Sequence, residues 1–176
     1  PDTTVLPAAV VITQEPYEPM FVEATVNATD DACLVEWGLP SGDYEIVYDD
    51  GVAENMIAWY TEGNMNAVKF TPAGYPAIVK GGKIYVGDGS YPAGGAFLNV
   101  DFGVAIYAAD GVNGMPGTLL DSIVVTPTEY GWVNFMGLNA EVLSGDFYIA
   151  MVQGGDYPDC APIGIDETAP QKFRSY

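Results

Sequence analysis

Carboxylate side chains that can bind a cation are grouped at two places far apart in the chain. Asp49, Asp50 and Glu54 stand close together, and Asp166 comes near the end. Calcium takes about six to eight oxygen ligands from carboxylates, backbone carbonyls and water. If a β-sandwich brings its first and last strands together, these four residues can share one calcium ion. The alternative is that the Asp-Gly pair at Asp50 simply forms a turn.

A second, weaker calcium candidate lies in the glycine-rich loop between residues 109 and 118. Asp110 and Asn113 offer side-chain oxygens there, and nearby glycines allow carbonyl groups to turn inward. Their spacing does not match an EF-hand loop. A plain turn is the alternative, because aspartate, asparagine and glycine are frequent turn residues.

One run of alternating residues offers a candidate surface for binding a glycan or a protein. From Leu98 to Ala108, apolar residues such as Phe102 share one parity, while Tyr107 and Asp101 share the other. Side chains alternate between the two faces of a strand, so Tyr107 and Asp101 are predicted to face away from the core. Aromatic rings with planar polar groups hold sugars and partner proteins.

Further aromatic residues lie in polar loops. Tyr91 and Tyr130 are additional candidates for ligand contact. The alternative for any single ring is an ordinary structural role, because tyrosine is common in strands. The tryptophans Trp59 and Trp132 are expected to fill the core.

The composition excludes several functions. The 176 residues include 24 acidic ones, 5 basic ones and no histidine, which gives a formal net charge of −19. This charge repels phosphate groups, so neither nucleic acid nor an anionic membrane surface is expected as a partner. Without histidine, serine–histidine catalysis and imidazole zinc sites are excluded. No carboxylate pair is singled out for glycoside hydrolysis, and we expect no enzymatic activity.

No membrane insertion is expected either, since no apolar run approaches the roughly 20 residues of a membrane-spanning helix. The two cysteines permit one disulfide, between Cys33 and Cys160, formed in an oxidising compartment. The alternative is two separate cysteines, with Cys33 in a strand and Cys160 in an exposed loop.

Short strand-like runs separated by glycine and proline dominate the chain. No segment keeps the period of an amphipathic helix. We predict an all-β fold, an antiparallel β-sandwich of the jelly-roll type. The predicted strands lie near residues 45–48, 55–61, 65–71, 83–87, 96–108, 119–125, 131–137, 147–153 and 162–165, with an extended tail at 172–176.

Three segments are predicted along the chain. Residues 1–18 combine an apolar run with several prolines, which indicates a linker or a strand donated to another chain. Residues 19–43 form a hairpin appendage that ends in the turn-forming residues 40–43. Residues 44–176 form the sandwich itself.

Several ordered motifs also carry a resemblance. They are YDDG at 48–51, AVKFTP at 67–72, FGVAIYAADGVNGMPGTLL at 102–120, GWVNF at 131–135, GDFYIAMVQGG at 145–155, IGID at 163–166 and RSY at 174–176. With them the segment resembles jelly-roll modules of secreted and cell-surface proteins of Bacteroidetes, many of them exported by the type IX route. Residues 19–40, with Trp37 and Pro40, resemble the opening strands of a fibronectin type III domain.

The resemblance implies a non-catalytic module outside the cell or at its surface. Such modules belong to larger proteins, where they serve adhesion, glycan or protein recognition, or the spacing of neighbouring domains. Thr3 and Ser122 match a short O-glycosylation pattern of these bacteria. One alternative is a structural subunit of an extracellular assembly, with residues 1–18 added to a neighbour's sheet. A third possibility is an accessory or catalytic piece of a glycoside hydrolase.

Overall fold

The computed structural model describes residues 4–5, 23–26, 33–36, 43–95, 97–168 and 174–176, the first three stretches as backbone only. The chain divides into two compact units. The larger unit comprises residues 1–11 and 46–176, and the smaller one residues 12–45.

Strands make up nearly all the regular structure, and every strand pairing is antiparallel. Among the described residues, the one helical element is a 3₁₀ turn at Val112–Gly114. The predicted all-β antiparallel fold is therefore confirmed. The strands are β1 (Thr4–Val5), β2 (Glu23–Val26), β3 (Cys33–Glu36), β4 (Asn55–Ile57), β5 (Met65–Phe70), β6 (Ala77–Tyr85), β7 (Phe102–Ala108), β8 (Leu119–Val125), β9 (Trp132–Val142), β10 (Phe147–Val152) and β11 (Ile163–Asp166).

A four-stranded sheet with the order β5-β10-β7-β8 forms one layer. Phe147 of β10 lies opposite Phe70 of β5 and Ala108 of β7. Phe70, Phe147, Ile106 and Ile149 share one face, and all four are buried. This face is the apolar side that a strand of alternating residues presents to a core.

Two further sheets bury their own alternate residues. The pair β6-β9 buries Val79 and Ile84 from one strand and Phe135 from the other. The sheet β1-β11-β4 buries Ile163 and Ile165. Sheets that each bury one apolar face are the layers of a β-sandwich, as predicted.

Three strand predictions were wrong in their extent. The strand predicted at 96–108 begins only at Phe102, because Asn99 adopts a left-handed φ of 66° and turns the chain. At 45–48 no extended strand forms, and the region has only an isolated bridge at Ile46. β6 begins at Ala77, earlier than the prediction at 83–87.

The described part of the N-terminal segment pairs within its own chain. Thr4 lies opposite Asp166 and Val5 opposite Ile165, so β1 is an edge strand beside β11. This pairing does not support the alternative in which residues 1–18 add a strand to the sheet of another chain. In the smaller unit, β2 and β3 form an antiparallel hairpin in which Val26 faces Cys33.

Candidate functional site

Three of the four predicted calcium ligands meet where β11 ends and β4 begins. Asp166 is the last residue of β11, while Asp50 and Glu54 precede β4. β4 runs antiparallel to β11, and the Glu54 N–H donates to the Ile165 carbonyl oxygen at 3.0 Å. One carboxylate oxygen from each of Asp50, Glu54 and Asp166 lies within 4.8 Å of the other two. We call these three residues the carboxylate group.

Backbone amides orient the carboxylate group. Asp166 is only 7% exposed. Its Oδ2 accepts from the Asp50 N–H at 3.3 Å and its Oδ1 from the Thr168 N–H at 2.8 Å. The Glu167 N–H donates to Glu54 Oε2 at 2.8 Å. Amide donors fix the oxygens in space without neutralising their charge, so the group still favours a cation.

Asp49 adds a fourth carboxylate beside the group. Its Oδ1 accepts from the Gly51 N–H at 2.9 Å, while its Oδ2 is buried without a hydrogen-bond partner. Burial raises the pKa of Asp49 above its ordinary value, and the charge of Asp166 adds to the rise. Lys83 opposes it in part. A buried carboxylate oxygen with no donor is costly, and a bound cation would remove that cost.

The weaker calcium candidate has a different geometry. Both carboxylate oxygens of Asp110 accept from Thr118, one from its N–H and one from its hydroxyl, each at 2.6 Å. These bonds hold the pKa of Asp110 below its ordinary value. Asn113 adopts a left-handed φ of 57° inside the 3₁₀ turn. The loop is closed by its own hydrogen bonds, which is the turn given as the alternative.

Tyr107 lies on the face of the four-stranded sheet opposite Ile106, and the prediction that it faces away from the core was wrong. This second face is also buried, because Ala67, Ala105, Tyr148 and Ala150 form a further hydrophobic cluster on it. Tyr107 is half-buried beside Ala105 and Tyr148, and its hydroxyl contacts the Met65 sulfur at 3.8 Å. The Tyr148 hydroxyl donates to the Gly114 carbonyl oxygen at 2.6 Å, so the loop after β7 covers part of this face. Tyr107 is therefore only partly available to a ligand.

Asp101 and Tyr130, which were also predicted to contact a ligand, have contacts that differ from those of Tyr107. Asp101 is exposed just before β7 and accepts a hydrogen bond from the Thr126 hydroxyl. Tyr130 packs edge-on against Phe97, with ring centroids 5.0 Å apart. These contacts do not bring Asp101, Tyr107 and Tyr130 into one site.

Three tyrosines from three loops form an aromatic cluster, which we call the aromatic rim: Tyr60, Tyr91 and Tyr157. The rings of Tyr60 and Tyr157 lie 5.7 Å apart at 66°, and those of Tyr91 and Tyr157 lie 6.1 Å apart at 47°. Tyr60 is 85% exposed, and Tyr157 is also exposed. Partial burial raises the pKa of the Tyr91 phenol, and Tyr157 adds to the rise. Of the three, only Tyr91 was among the predicted contacts.

A buried glutamine holds two of these loops together. The Trp59 N–H donates to Gln153 Oε1 at 2.7 Å, and Gln153 Nε2 donates to the carbonyl oxygens of Trp59 and Gly155 at 2.8 and 2.7 Å. The Tyr157 N–H donates to the Tyr60 carbonyl oxygen at 3.2 Å. The loops that carry Tyr60 and Tyr157 are thus fixed relative to each other by directed hydrogen bonds.

The prediction that Trp59 fills the core was wrong, since Trp59 is 40% exposed. β4 ends at Ile57, so the strand alternation does not continue to this residue. Trp132 is half-buried and packs edge-on against Tyr85 at 5.4 Å. Trp59 stabilises the fold through the hydrogen bonds between its backbone and Gln153 rather than through its ring.

Cys160 is buried, so the exposed position given as the alternative was wrong. Burial raises the pKa of its thiol, and Asp159 adds to the rise. Cys33 lies in β3, but its side chain is outside the described residues, and the disulfide stays a prediction. Ser122 is exposed within β8. Thr3 lies outside the described residues.

Among the described residues, no helix is long and apolar enough to cross a membrane. An alignment over 138 residues, which covers 75% of this chain, is 29% identical to Bacillopeptidase F of Bacillus subtilis (strain 168). The chain spans only 9% of the length of that protein. No family model matches the chain, and no solved structure matches it. The similarity is thus to a small part of a much longer protein.

Proposed function

We propose that this chain is a non-catalytic extracellular module that recognises a protein or glycan surface as part of a larger polypeptide. The observation that carries the proposal is the aromatic rim, whose exposed Tyr60 and Tyr157 stand on loops fixed by Gln153. Binding surfaces favour aromatic rings that are already held in position, because little conformational entropy is then lost on binding.

The similarity to Bacillopeptidase F supports a place within a larger polypeptide, because the matching stretch is a small part of that protein. The chain itself has no histidine, so the common triads of peptidases are unavailable to it. An accessory role beside other domains fits both observations. The resemblance to surface modules of Bacteroidetes supports the same role and stays part of the proposal.

The proposal can be tested with the whole chain immobilised and exposed to a glycan array and a panel of peptides of differing charge. We expect at least one ligand whose binding is lost in the double variant Tyr60→Leu/Tyr157→Leu. Tyr75→Leu is the matched control, because Tyr75 is an exposed tyrosine on a different loop, where its hydroxyl donates to the Gly145 carbonyl oxygen. Binding that both variants retain equally, or no binding to either panel, would contradict the proposal.

We also propose that the carboxylate group binds calcium and stiffens the junction between β4 and β11. All the ligand atoms of the group are carboxylate oxygens, which calcium prefers, and hydrogen bonds from backbone amides already orient them. Asp49, which precedes Asp50, has a buried Oδ2 without a hydrogen-bond partner, and a cation close to this turn would lower the cost of burying that oxygen. Calcium here would have a structural role, separate from the aromatic rim.

A further inference from the structure

The protein contains its own example of a cation held by two tyrosines. The rings of Tyr148 and Tyr176 lie 5.1 Å apart and nearly perpendicular, at 88°. The ammonium group of Lys69 stands 5.3 Å from the centroid of Tyr148 and 5.0 Å from that of Tyr176. A cation within about 6 Å of a ring centroid is attracted by the negative face of the ring. Hydrogen bonding to the side chains of Tyr148 and Tyr176 also raises the pKa of Lys69.

The aromatic rim has a similar arrangement. Tyr60 and Tyr157 are also inclined to each other, at 66°, with centroids 5.7 Å apart. Tyr91 adds a third ring, 6.1 Å from Tyr157. Because Tyr60 is 85% exposed, most of its ring is open to solvent and to a molecule arriving from it. The rim therefore offers inclined rings like those around Lys69, but on the surface.

The charged residues in the three loop segments that carry the rim all have one sign. The loop segments 58–64, 88–95 and 153–160 contain four acidic residues and no lysine or arginine; the acids are Glu62, Asp88, Asp156 and Asp159. The Glu62 N–H donates to Asp156 Oδ1 at 2.9 Å, which joins two of these acids across the loops that carry Tyr60 and Tyr157. A cation would meet both aromatic faces and negative charge there.

We propose that the aromatic rim binds lysine or arginine side chains of a partner polypeptide. The proposal rests on the proposed function, because it names the partner of the same recognition surface. Charge complementarity favours a cationic partner over a neutral glycan.

The test uses the whole chain and a short peptide of alternating lysine and serine, with its fully acetylated form as the neutral probe. Dissociation constants are measured at low salt and at about 0.15 M salt. We expect the lysine peptide to bind, the acetylated peptide to bind far more weakly, and salt to weaken the binding. Tyr60→Leu/Tyr157→Leu is expected to weaken it about tenfold.

Matched variants separate the rim from the general acidity of the chain. Tyr60→Phe/Tyr157→Phe keeps both ring faces and is expected to bind like the native chain. Asp156→Asn removes a charge at the rim and is expected to weaken binding more than Glu129→Gln, which removes one from an exposed position on another loop. Tyr75→Leu is expected to have no effect.

Two results would overturn the inference. One is equal binding of the lysine peptide by the double leucine variant and by Tyr75→Leu, which would mean that the peptide follows overall charge. The other is a neutral glycan that needs Tyr60 and Tyr157 and binds independently of salt. That second result would leave the proposed function standing while this inference fails, whereas no ligand of any kind would contradict both.

Discussion

The N–H of Asp50 donates to the Oδ2 of Asp166 at 3.3 Å, although 116 residues separate them in the sequence. This contact ties the turn before β4 to the end of β11. It also brings together carboxylates that repel one another unless a cation lies between them. The stability of this contact between the turn before β4 and the end of β11 should therefore depend on the cations in solution.

Calcium is expected to raise the unfolding temperature of the chain. A ligand at about a hundred times its Kd stabilises a folded domain by about 2.7 kcal/mol, which corresponds to about 5–10 °C for a domain of this size. A chelator should reverse the shift. Thermal unfolding with and without calcium checks this.

Asp166→Asn is the variant that should abolish the calcium shift, because Asp166 belongs to the carboxylate group. Glu129→Gln, which changes an exposed acid elsewhere, should leave the shift intact. Identical melting curves in calcium and in chelator would show that the group binds no calcium.

The raised pKa of Asp49 predicts a pH effect on stability in metal-free solution. Above the ordinary value of 3.8, the folded state holds this proton more tightly than the unfolded state. Stability therefore falls as pH rises from 3.8 through the folded pKa, and the loss is complete above it. Asp49→Asn should be more stable than the native chain at neutral pH, with the difference shrinking towards pH 3.8.

Urea unfolding at several pH values in chelator measures this difference. Asp88 and Asp110 have lowered pKa values, so their stabilisation is lost as pH falls below 3.8 and does not act in the same window. Added calcium should reduce the advantage of Asp49→Asn. If Asp49→Asn were less stable than the native chain at neutral pH in chelator, burial of the Asp49 carboxylate would not be destabilising.

Gln153→Leu is expected to destabilise the chain by about 2–4 kcal/mol, because it removes three hydrogen bonds and leaves backbone groups of Trp59 and Gly155 without partners. It should also weaken ligand binding at the aromatic rim. Denaturant unfolding gives the first effect. A loss no larger than that of an exposed substitution such as Asn139→Leu would show that the hydrogen bonds of Gln153 do not stabilise the fold.

If Cys160 is not bonded to Cys33, its burial predicts a thiol that reacts slowly in the native chain. Burial raises its pKa, so less of the reactive thiolate is present. Thiol titration without reductant should find Cys160 only after denaturation. If the denatured chain gives no thiol, the disulfide with Cys33 is formed instead.

The sequence predicted what depends on local pattern. Alternation around Phe102 indicated a strand with one buried face, and acidic turns at Asp50 and Asp166 indicated a joint site, because a sandwich brings its outer strands together. The aromatic rim could not be predicted in the same way. It depends on hydrogen bonds between Gln153 and Trp59, which are 94 residues apart in the sequence. The alternation of apolar and polar residues does not indicate which loops a buried side chain connects.

One measurement tests the recognition surface most directly: amide chemical shifts of the labelled chain during titration with the lysine–serine peptide. The largest changes are predicted in residues 58–64 and 155–160, the loops that carry Tyr60 and Tyr157, and they should disappear in Tyr60→Leu/Tyr157→Leu. Changes centred on Asp50 and Asp166, or spread evenly over the acidic surface, would contradict a binding site at the aromatic rim.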